Sequence, residues 1–169
     1  KVRDLLREAH ILEGEQRQRI EEARSRFDAA WNRERPDKLP VTVDVDPVWS
    51  DWYYRRYGVR IGELWENPKL LVECELRTWI DSFREFKDDR TFVVPDAVGP
   101  LGGVVLHPSI VGSRTVFPDD DFPWIDLSQR VFDSEERIDD FAPPEVPSAG
   151  LMPQVLEKVE MLRNELEDL

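Results

Sequence analysis

Apolar residues recur at helical spacing over the first 33 residues of the chain. The second part of this region carries one apolar stripe: Ile20, Ala23, Phe27, Ala30 and Trp31. Residues 2–12 are amphipathic as well, and Gly14 is a weak point between the two parts because glycine destabilises a helix interior. The pattern predicts two N-terminal helices, packed either on their own domain or on a partner chain.

After Pro40 the pattern changes to strict alternation. Three valines fall on one side and three polar residues on the other, in the order Val41, Thr42, Val43, Asp44, Val45 and Asp46. Period two predicts a strand, and the apolar segment 91–96 predicts a second one. Between them, Asn67 as N-cap and Pro68 in the first position predict a long helix. A strand–helix–strand unit implies parallel pairing.

The second half of the chain is richer in glycine and proline. Residues 99–125 predict an excursion of extended or hairpin structure, and "DSEERIDDF" predicts a short helix with capping-box spacing. Apolar residues at helical spacing predict a terminal helix over 151–168. The expected organisation is an N-terminal helical segment, 1–35, followed by one domain, 36–169.

Charge and cysteine content narrow the function classes. The net charge is −13, which repels phosphate backbones and anionic lipid, so we expect neither nucleic acid nor membrane as a partner. The lone cysteine, Cys74, excludes an internal disulfide and favours a reducing compartment, with the cytoplasm as the expected location. It falls on the buried face of the long helix, where a small core residue is expected. His10 and His107 have no zinc-ligand spacing, whereas a site built from carboxylates alone stays open.

Carboxylates close both predicted strands. Asp44 and Asp46 end the first, and Asp96 ends the second. Polar groups just past buried parallel strands are well placed for ligand contact, so these three are the candidate catalytic residues. The alternative is that they cap local turns or the following helix.

Five further residues are candidates for substrate contact: Trp49, Tyr53, Arg60, His107 and Arg114. The two aromatic residues belong to the dense cluster "VWSDWYYRRY", which either lines an apolar pocket or packs in the interior. Arg60 is suited to hold a carboxylate, and pairing with a neighbouring acid is the alternative. His107 is either an acid–base group or a structural histidine, and Arg114 either reaches over the pocket or lies in solvent.

The order of these motifs resembles the N-terminal part of the uroporphyrinogen decarboxylase superfamily. The resemblance runs from about Ala23 to Leu166 and rests on these segments: "RPDKLPV", "NPKLLVECELRTWIDSF", "FVVPD", "FPWIDL", "DSEERIDDF" and "GLMPQVLEKVEMLRNEL". It implies an α/β fold, the N-terminal part of a (β/α)₈ TIM-type barrel whose active site lies at the C-terminal ends of the strands. The chain is too short for a whole barrel, so a second polypeptide or segment is expected to complete it.

One departure indicates which branch of the superfamily is closer. True uroporphyrinogen decarboxylases carry an "RQAGRY"-like motif after the first strand, and this chain has "VDPVWS" there. Uroporphyrinogen is therefore an unexpected substrate, and the aromatic cluster and the segment "FPDDDFPW" look closer to the corrinoid-dependent methyltransferases. That resemblance implies a corrinoid on a partner protein and zinc supplied by a partner chain, with neither bound by this chain alone.

Three functions follow as hypotheses. The first is corrinoid-dependent methyl transfer to or from a small substrate, with this chain as one component of the enzyme. The second is metal-independent decarboxylation of a small carboxylic acid, with an arginine of the 55–60 cluster holding a carboxylate. The third is a non-catalytic assembly or scaffold subunit.

Overall fold

The computed structural model describes residues 1–43, 52–94, 103–132, 134 and 138–166, with only the backbone described for 52–54, 165 and 166. The described residues are mostly helical and contain one small sheet. The elements are α1 Val2–Glu15, α2 Arg17–Trp31, α3 Trp52–Tyr57, α4 Ile61–Glu66, α5 Pro68–Glu85, α6 Gly103–Ile110, β1 Thr115–Val116, β2 Trp124–Ile125, a 3₁₀ turn Val146–Ser148, and α7 Met152–Leu166. β1 and β2 are antiparallel, with Thr115 opposite Ile125.

The predicted N-terminal, long and terminal helices are present. α1 and α2 form the two N-terminal pieces, but they divide at Gln16 and not at Gly14, which lies inside α1. At the start of α5 the Asn67 Oδ1 accepts a hydrogen bond from the Leu70 N–H at 3.1 Å, which confirms the predicted N-cap. Cys74 is buried on α5, as expected for a core residue.

The second predicted strand does not form where the structure describes it. Residues 91–94 carry no regular secondary structure, and the Val93 N–H donates to the Glu13 carboxylate of α1. Of the first predicted strand, residues 41–43 have no strand pairing, because the N–H groups of Val41 and Val43 donate to aspartate side chains. The described residues therefore contain no parallel pair of strands.

The predicted excursion over 99–125 is only partly extended. Residues 115–125 contain the β1–β2 hairpin, but residues 103–110 form the helix α6. Val105 and Ser109 are the buried residues of α6, and their spacing of four places them on one helical face. The free energy gained by burying that face outweighs the preference for extended structure that the glycines and Pro108 indicate.

Two compact units divide the chain. The first comprises Lys1–Tyr57 and Val72–Val98, and the second comprises Gly58–Leu71 and Gly99–Leu169. In the first unit one core joins α1, α2, α5 and Val93, through Ala9, Leu12, Ile20, Ile80, Phe83 and Val93. The N-terminal helices, assigned from the sequence to a segment of their own, thus pack on their own domain.

The second unit has a smaller core of Trp65, Val105 and Leu151. Ser109 connects its parts, because its hydroxyl accepts the Leu151 N–H at 3.0 Å and donates to the Leu106 carbonyl. In the part of the chain that is described, no helix has the length and apolar character needed to cross a membrane.

Candidate functional site

A cavity of about 490 Å³ opens in the first unit. It is lined by Arg24, Phe27, Asp28, Thr42, Val43, Trp79, Arg90, Thr91 and Phe92. The rings of Trp79 and Phe92 lie 5.7 Å apart, centroid to centroid, and are tilted by 55°. This volume and mixture of aromatic walls with a few polar groups are typical of sites for small organic ligands.

Four segments bring these residues together. Residues 24, 27 and 28 share one face of α2, at the spacing of neighbours on a helix. Trp79 comes from α5, and the remaining residues come from segment 41–43 and from 90–92. These last two segments carry no regular secondary structure, so other contacts must hold them in place.

Asp88 and Asp89 hold segment 41–43. The Val41 N–H donates to Asp89 Oδ2 at 3.1 Å, the Val43 N–H donates to Asp88 Oδ2 at 2.9 Å, and the Asp89 N–H donates to the Val41 carbonyl at 2.8 Å. In an extended chain, residues two apart direct their N–H groups to the same side. The two carboxylates therefore occupy the position that a neighbouring strand would take.

Asp89 is buried and surrounded by cations. Arg26 Nη1 lies 2.8 Å from its Oδ1, and Lys38 Nζ lies 3.2 Å from the same oxygen. Burial alone would raise the pKa of Asp89, but the Val41 N–H, Lys38 and Arg26 together outweigh it and lower the pKa below the ordinary value. Asp89 therefore stays ionised in the folded chain over the neutral range.

Asp88 lies between two arginines. Arg19 Nη2 contacts its Oδ1 at 3.0 Å, and Arg90 Nε contacts its Oδ2 at 3.0 Å. Arg19 also donates to the main-chain carbonyls of Phe83 and Phe86 at the C-terminal end of α5. The last carbonyls of a helix lack helical partners, so Arg19 both caps α5 and fixes Asp88.

Arg90 is the buried one of the two arginines that line the cavity. Its side chain is 4% exposed, and Nη1 donates to the Ser82 hydroxyl at 2.9 Å. Its Cζ lies 5.8 Å from the centroid of the Trp79 ring and 5.6 Å from that of Phe83. The remaining nitrogen, Nη2, is buried and has no hydrogen-bond partner among the described residues. The site thus holds an arginine that is fixed on one edge and unsatisfied on the other.

Most of the candidate residues from the sequence cannot be compared with this cavity. Asp44, Asp46, Asp96 and Trp49 lie outside the described residues, and Tyr53 lies in α3, of which only the backbone is described at that position. The catalytic role of the three strand-end aspartates therefore stays a prediction.

The other three candidates lie in the second unit and are exposed. Arg60 Nε is 3.7 Å from Asp120 Oδ1, and Arg114 Nη1 is 3.7 Å from Asp126 Oδ2, so each arginine has a neighbouring acid as its partner. His107 is exposed on α6. None of the three lines the cavity of the first unit.

Arg60 instead borders a second cavity, of about 530 Å³, in the second unit. Its walls include Trp65 and Phe117, whose rings are 4.5 Å apart, and several acidic residues. On α7, Lys158 Nζ lies 3.9 Å from the centroid of the Trp65 ring and donates to the Trp65 carbonyl, and burial lowers the pKa of this lysine. Lys158 does not line this cavity, and Arg60, which does, is exposed and lies 3.7 Å from the carboxylate of Asp120, so this cavity shows no buried, unsatisfied cation among the residues named.

Sequence patterns did not identify the residues that build the first cavity. Asp88, Asp89 and Arg90 form the consecutive charges "DDR" between the end of a long helix and an apolar segment, a position where solvent exposure is the usual expectation. Arg19 and Arg26 are seven residues apart, on the same face of α2 as the buried Ala23. The sequence did contain one signal: two arginines at the edge of an apolar stripe indicate that acidic partners are buried against that face.

Neither a metal site nor a relative identifies the function. Within the described ranges, no group of three or more His, Cys, Asp or Glu side chains is placed to hold a metal ion. No family model matches the chain, and searches of curated proteins and of solved structures find no significant match. Function is therefore inferred from the geometry of the cavity and from the order of motifs in the sequence.

Proposed function

We propose that the cavity of the first unit binds a small organic substrate, and that the chain is one component of an enzyme resembling the uroporphyrinogen decarboxylase superfamily. The observation that carries this proposal is the combination of an aromatic wall, Trp79 and Phe92, with a buried arginine, Arg90, around about 490 Å³ of space. An apolar interior with few, fixed polar groups is the usual design of such sites.

The proposal includes the finer fold, the N-terminal part of a (β/α)₈ barrel completed by another chain or segment. Its support is the order of motifs in the sequence. Residues 41–43 and 90–92, which border the cavity, have no strand pairing and add no support for the barrel.

Decarboxylation of a small carboxylic acid gains support from the buried arginine of the cavity, Arg90. Arg56, from the cluster first considered for this role, pairs with Asp81 at 3.1 Å and with Glu85. Arg90 takes its place as the candidate for the carboxylate, in a metal-independent reaction. Because an arginine bound to the departing carboxylate would stabilise the ground state, Arg90 is better suited to hold a carboxylate that the product keeps.

Corrinoid-dependent methyl transfer, the first hypothesis from the sequence, has the resemblance in the sequence as its support. The zinc that this chemistry implies does not fit the described residues, since they offer no cluster of ligands. It would have to come from a partner chain. A scaffold role without chemistry is the third possibility, and it requires that the cavity bind nothing.

The test combines a ligand panel with a variant that fills the cavity. Small acids, alcohols and amines are titrated into the ¹⁵N-labelled chain, and CO₂ release and methyl transfer to added cobalamin are assayed with the same compounds. Val43→Trp places an indole in the cavity wall, whereas Leu39→Trp, at an exposed position outside the lining, is the matched control.

We expect binding shifts at Trp79 and Phe92 that Val43→Trp abolishes and Leu39→Trp preserves. Turnover that releases CO₂ without corrinoid would favour decarboxylation, and turnover that requires cobalamin would favour methyl transfer. A panel in which no compound binds the cavity would contradict the proposal and leave the scaffold role.

A further inference from the structure

Beneath the cavity, two arginines share one buried carboxylate. Asp88, whose side chain is 3% exposed, carries one negative charge and faces two guanidinium groups, those of Arg19 and Arg90. The neighbouring Asp89 is already matched by Arg26 and Lys38. Arg19 is partly exposed and also donates to the carbonyls of Phe83 and Phe86, so Arg90 is the buried guanidinium that depends on this shared carboxylate.

A buried cation is unfavourable unless its charge and its N–H groups are all paired. Moving an ion out of water costs several kcal/mol in a real protein, and only close pairing with full hydrogen bonding offsets that cost. Arg90 meets this need on one edge through Asp88 and Ser82, but its Nη2 has no partner among the described residues. An anion bound at this nitrogen would complete the hydrogen bonding of the buried guanidinium and give Arg90 an anionic partner that it does not share with Arg19.

We propose that Arg90, assisted by Arg24, binds the carboxylate of a small organic acid whose apolar body lies against Phe27, Trp79 and Phe92. This inference rests on the proposed function and names the class of its substrate. Arg24 lies in the cavity lining, and its Nη2 donates to the Thr91 carbonyl at 3.3 Å, which holds its cation near the same wall.

A monovalent carboxylate fits better than a phosphate. The planar guanidinium matches a carboxylate, and the aromatic walls match an apolar body. Asp28 also lines the cavity, and its carboxylate disfavours a second negative charge on the ligand. The net charge of −13 likewise disfavours polyanions.

Binding requires a small movement at the wall. Nη2 is covered in this structure, so a ligand oxygen reaches it only if a neighbouring side chain shifts. Phe92, which is 37% exposed, packs on Trp79, and the Trp79 ring in turn lies next to Arg90. We therefore expect the resonances of Phe92 and Trp79 to respond first to ligand.

The experiment compares two nearly isosteric probes on the full chain by calorimetry and NMR. Benzoate carries the carboxylate, benzamide is its neutral counterpart, and inorganic phosphate tests for a general anion site. We expect benzoate to bind at least roughly tenfold more tightly than benzamide, because hydrogen bonds to a charged group are the stronger kind.

Variants then locate the effect. Arg90→Gln should weaken benzoate by roughly tenfold or more and leave benzamide unchanged, and Arg90→Lys should restore part of the difference. Arg24→Gln should have a smaller effect in the same direction. Arg84→Gln, which removes an exposed arginine paired with Glu8 away from the cavity, is the matched charge control and should leave both probes unchanged.

The outcomes separate this inference from the proposed function. Equal binding of benzoate and benzamide by the unaltered chain would overturn the carboxylate site but leave the proposal of a small-molecule cavity intact. This measurement does not depend on the folding of any variant. Tighter binding of phosphate than of benzoate would overturn it in favour of a general anion site. If neither probe nor any other compound binds, both proposals fail.

Discussion

The two units of this chain are stabilised by different kinds of interior. The first buries ions at its cavity, Asp88, Asp89 and Arg90, and the two aspartates hold the backbone of residues 41–43 through charged hydrogen bonds. The second relies on packing at close range, with Gly150 against Ser109 and Trp65 in a small apolar core. Buried ions are unfavourable unless paired, and their pairing is directional, so the comparison favours the first unit as the place of ligand recognition.

The largest effect is expected from Asp88→Asn. This change removes the only carboxylate that the described residues place against both Arg19 and Arg90, so it leaves buried charge uncompensated. Loss of one partner from a buried pair costs about 3–5 kcal/mol. We expect the free energy of unfolding to fall by about that amount, measured by urea denaturation.

Asp37→Asn is the matched control for Asp88→Asn. It removes a carboxylate that is also held by an arginine, Arg26, but at an exposed position. Exposed pairs contribute little, so the loss should be much smaller. Equal losses in the two variants would contradict the distinction between buried and surface ions in the first unit.

Gly150→Ala should give the next largest effect, in the second unit. Gly150 has a φ of +54°, and a Cβ there would overlap the backbone carbonyl group of Ser109. Both strain and overlap oppose the substitution, at about 3 kcal/mol. Hydrogen exchange of α6 and α7 amides measures the loss.

Gly103→Ala tests whether that effect is local. A Cβ at Gly103, at the start of α6, would have nothing within 4 Å. We expect this variant to exchange as the unaltered chain does. If it exchanged as fast as Gly150→Ala, the close packing against Ser109 would not be the cause.

Asp89→Asn should destabilise the first unit by about 2 kcal/mol at neutral pH, because hydrogen bonds to a charged group are lost. Folding lowers the pKa of Asp89. The carboxylate therefore stabilises the fold at pH values above the pKa that Asp89 has in the unfolded chain, and this stabilisation is lost as the pH falls through its pKa in the folded chain. The difference between the unaltered chain and Asp89→Asn should therefore shrink below about pH 4. Denaturation curves from neutral pH down to about pH 2.5 measure it, and a constant difference would show that the carboxylate charge is not what matters.

The smallest effect is expected at Gly14, and its sign is opposite. Gly14 lies inside α1, and a Cβ there would meet nothing within 4 Å. Gly14→Ala should stabilise the first unit by about 0.5–1 kcal/mol through higher helix propensity. A small rise in the midpoint of thermal unfolding measures this gain, and a fall would indicate a packing contact that involves α1.

Local patterns predicted the main helices well because helix formation depends on near neighbours. The stripe of α2 and the Asn67–Pro68 start of α5 are readable from a few adjacent residues. The same stripe misled at its end, since Trp31 is 89% exposed while Ile20 is buried. Periodicity predicts which face is apolar, but the contacts of the folded chain decide how far along that face is covered.

The strand predictions are wrong over the described residues, 41–43 and 91–94, for a related reason. A strand needs a partner as well as an alternating pattern, and in residues 41–43 the partners of the N–H groups are the Asp88 and Asp89 carboxylates. The Asp88 carboxylate is 45 positions away from Val43 along the chain. No local pattern encodes a pairing over that distance.

The sequence by itself determined the positions of the long helices, the buried Cys74 and the acidic character of the chain, because these follow from composition and short-range spacing. Only the tertiary structure decided which charges are buried, since Arg19, Asp88 and Arg90 look like surface residues until α2 and α5 bring them together. The candidate site, too, was decided by the tertiary structure. A cavity and its unsatisfied guanidinium depend on distances between segments that are far apart in the chain, and these distances are set by the packing of the core.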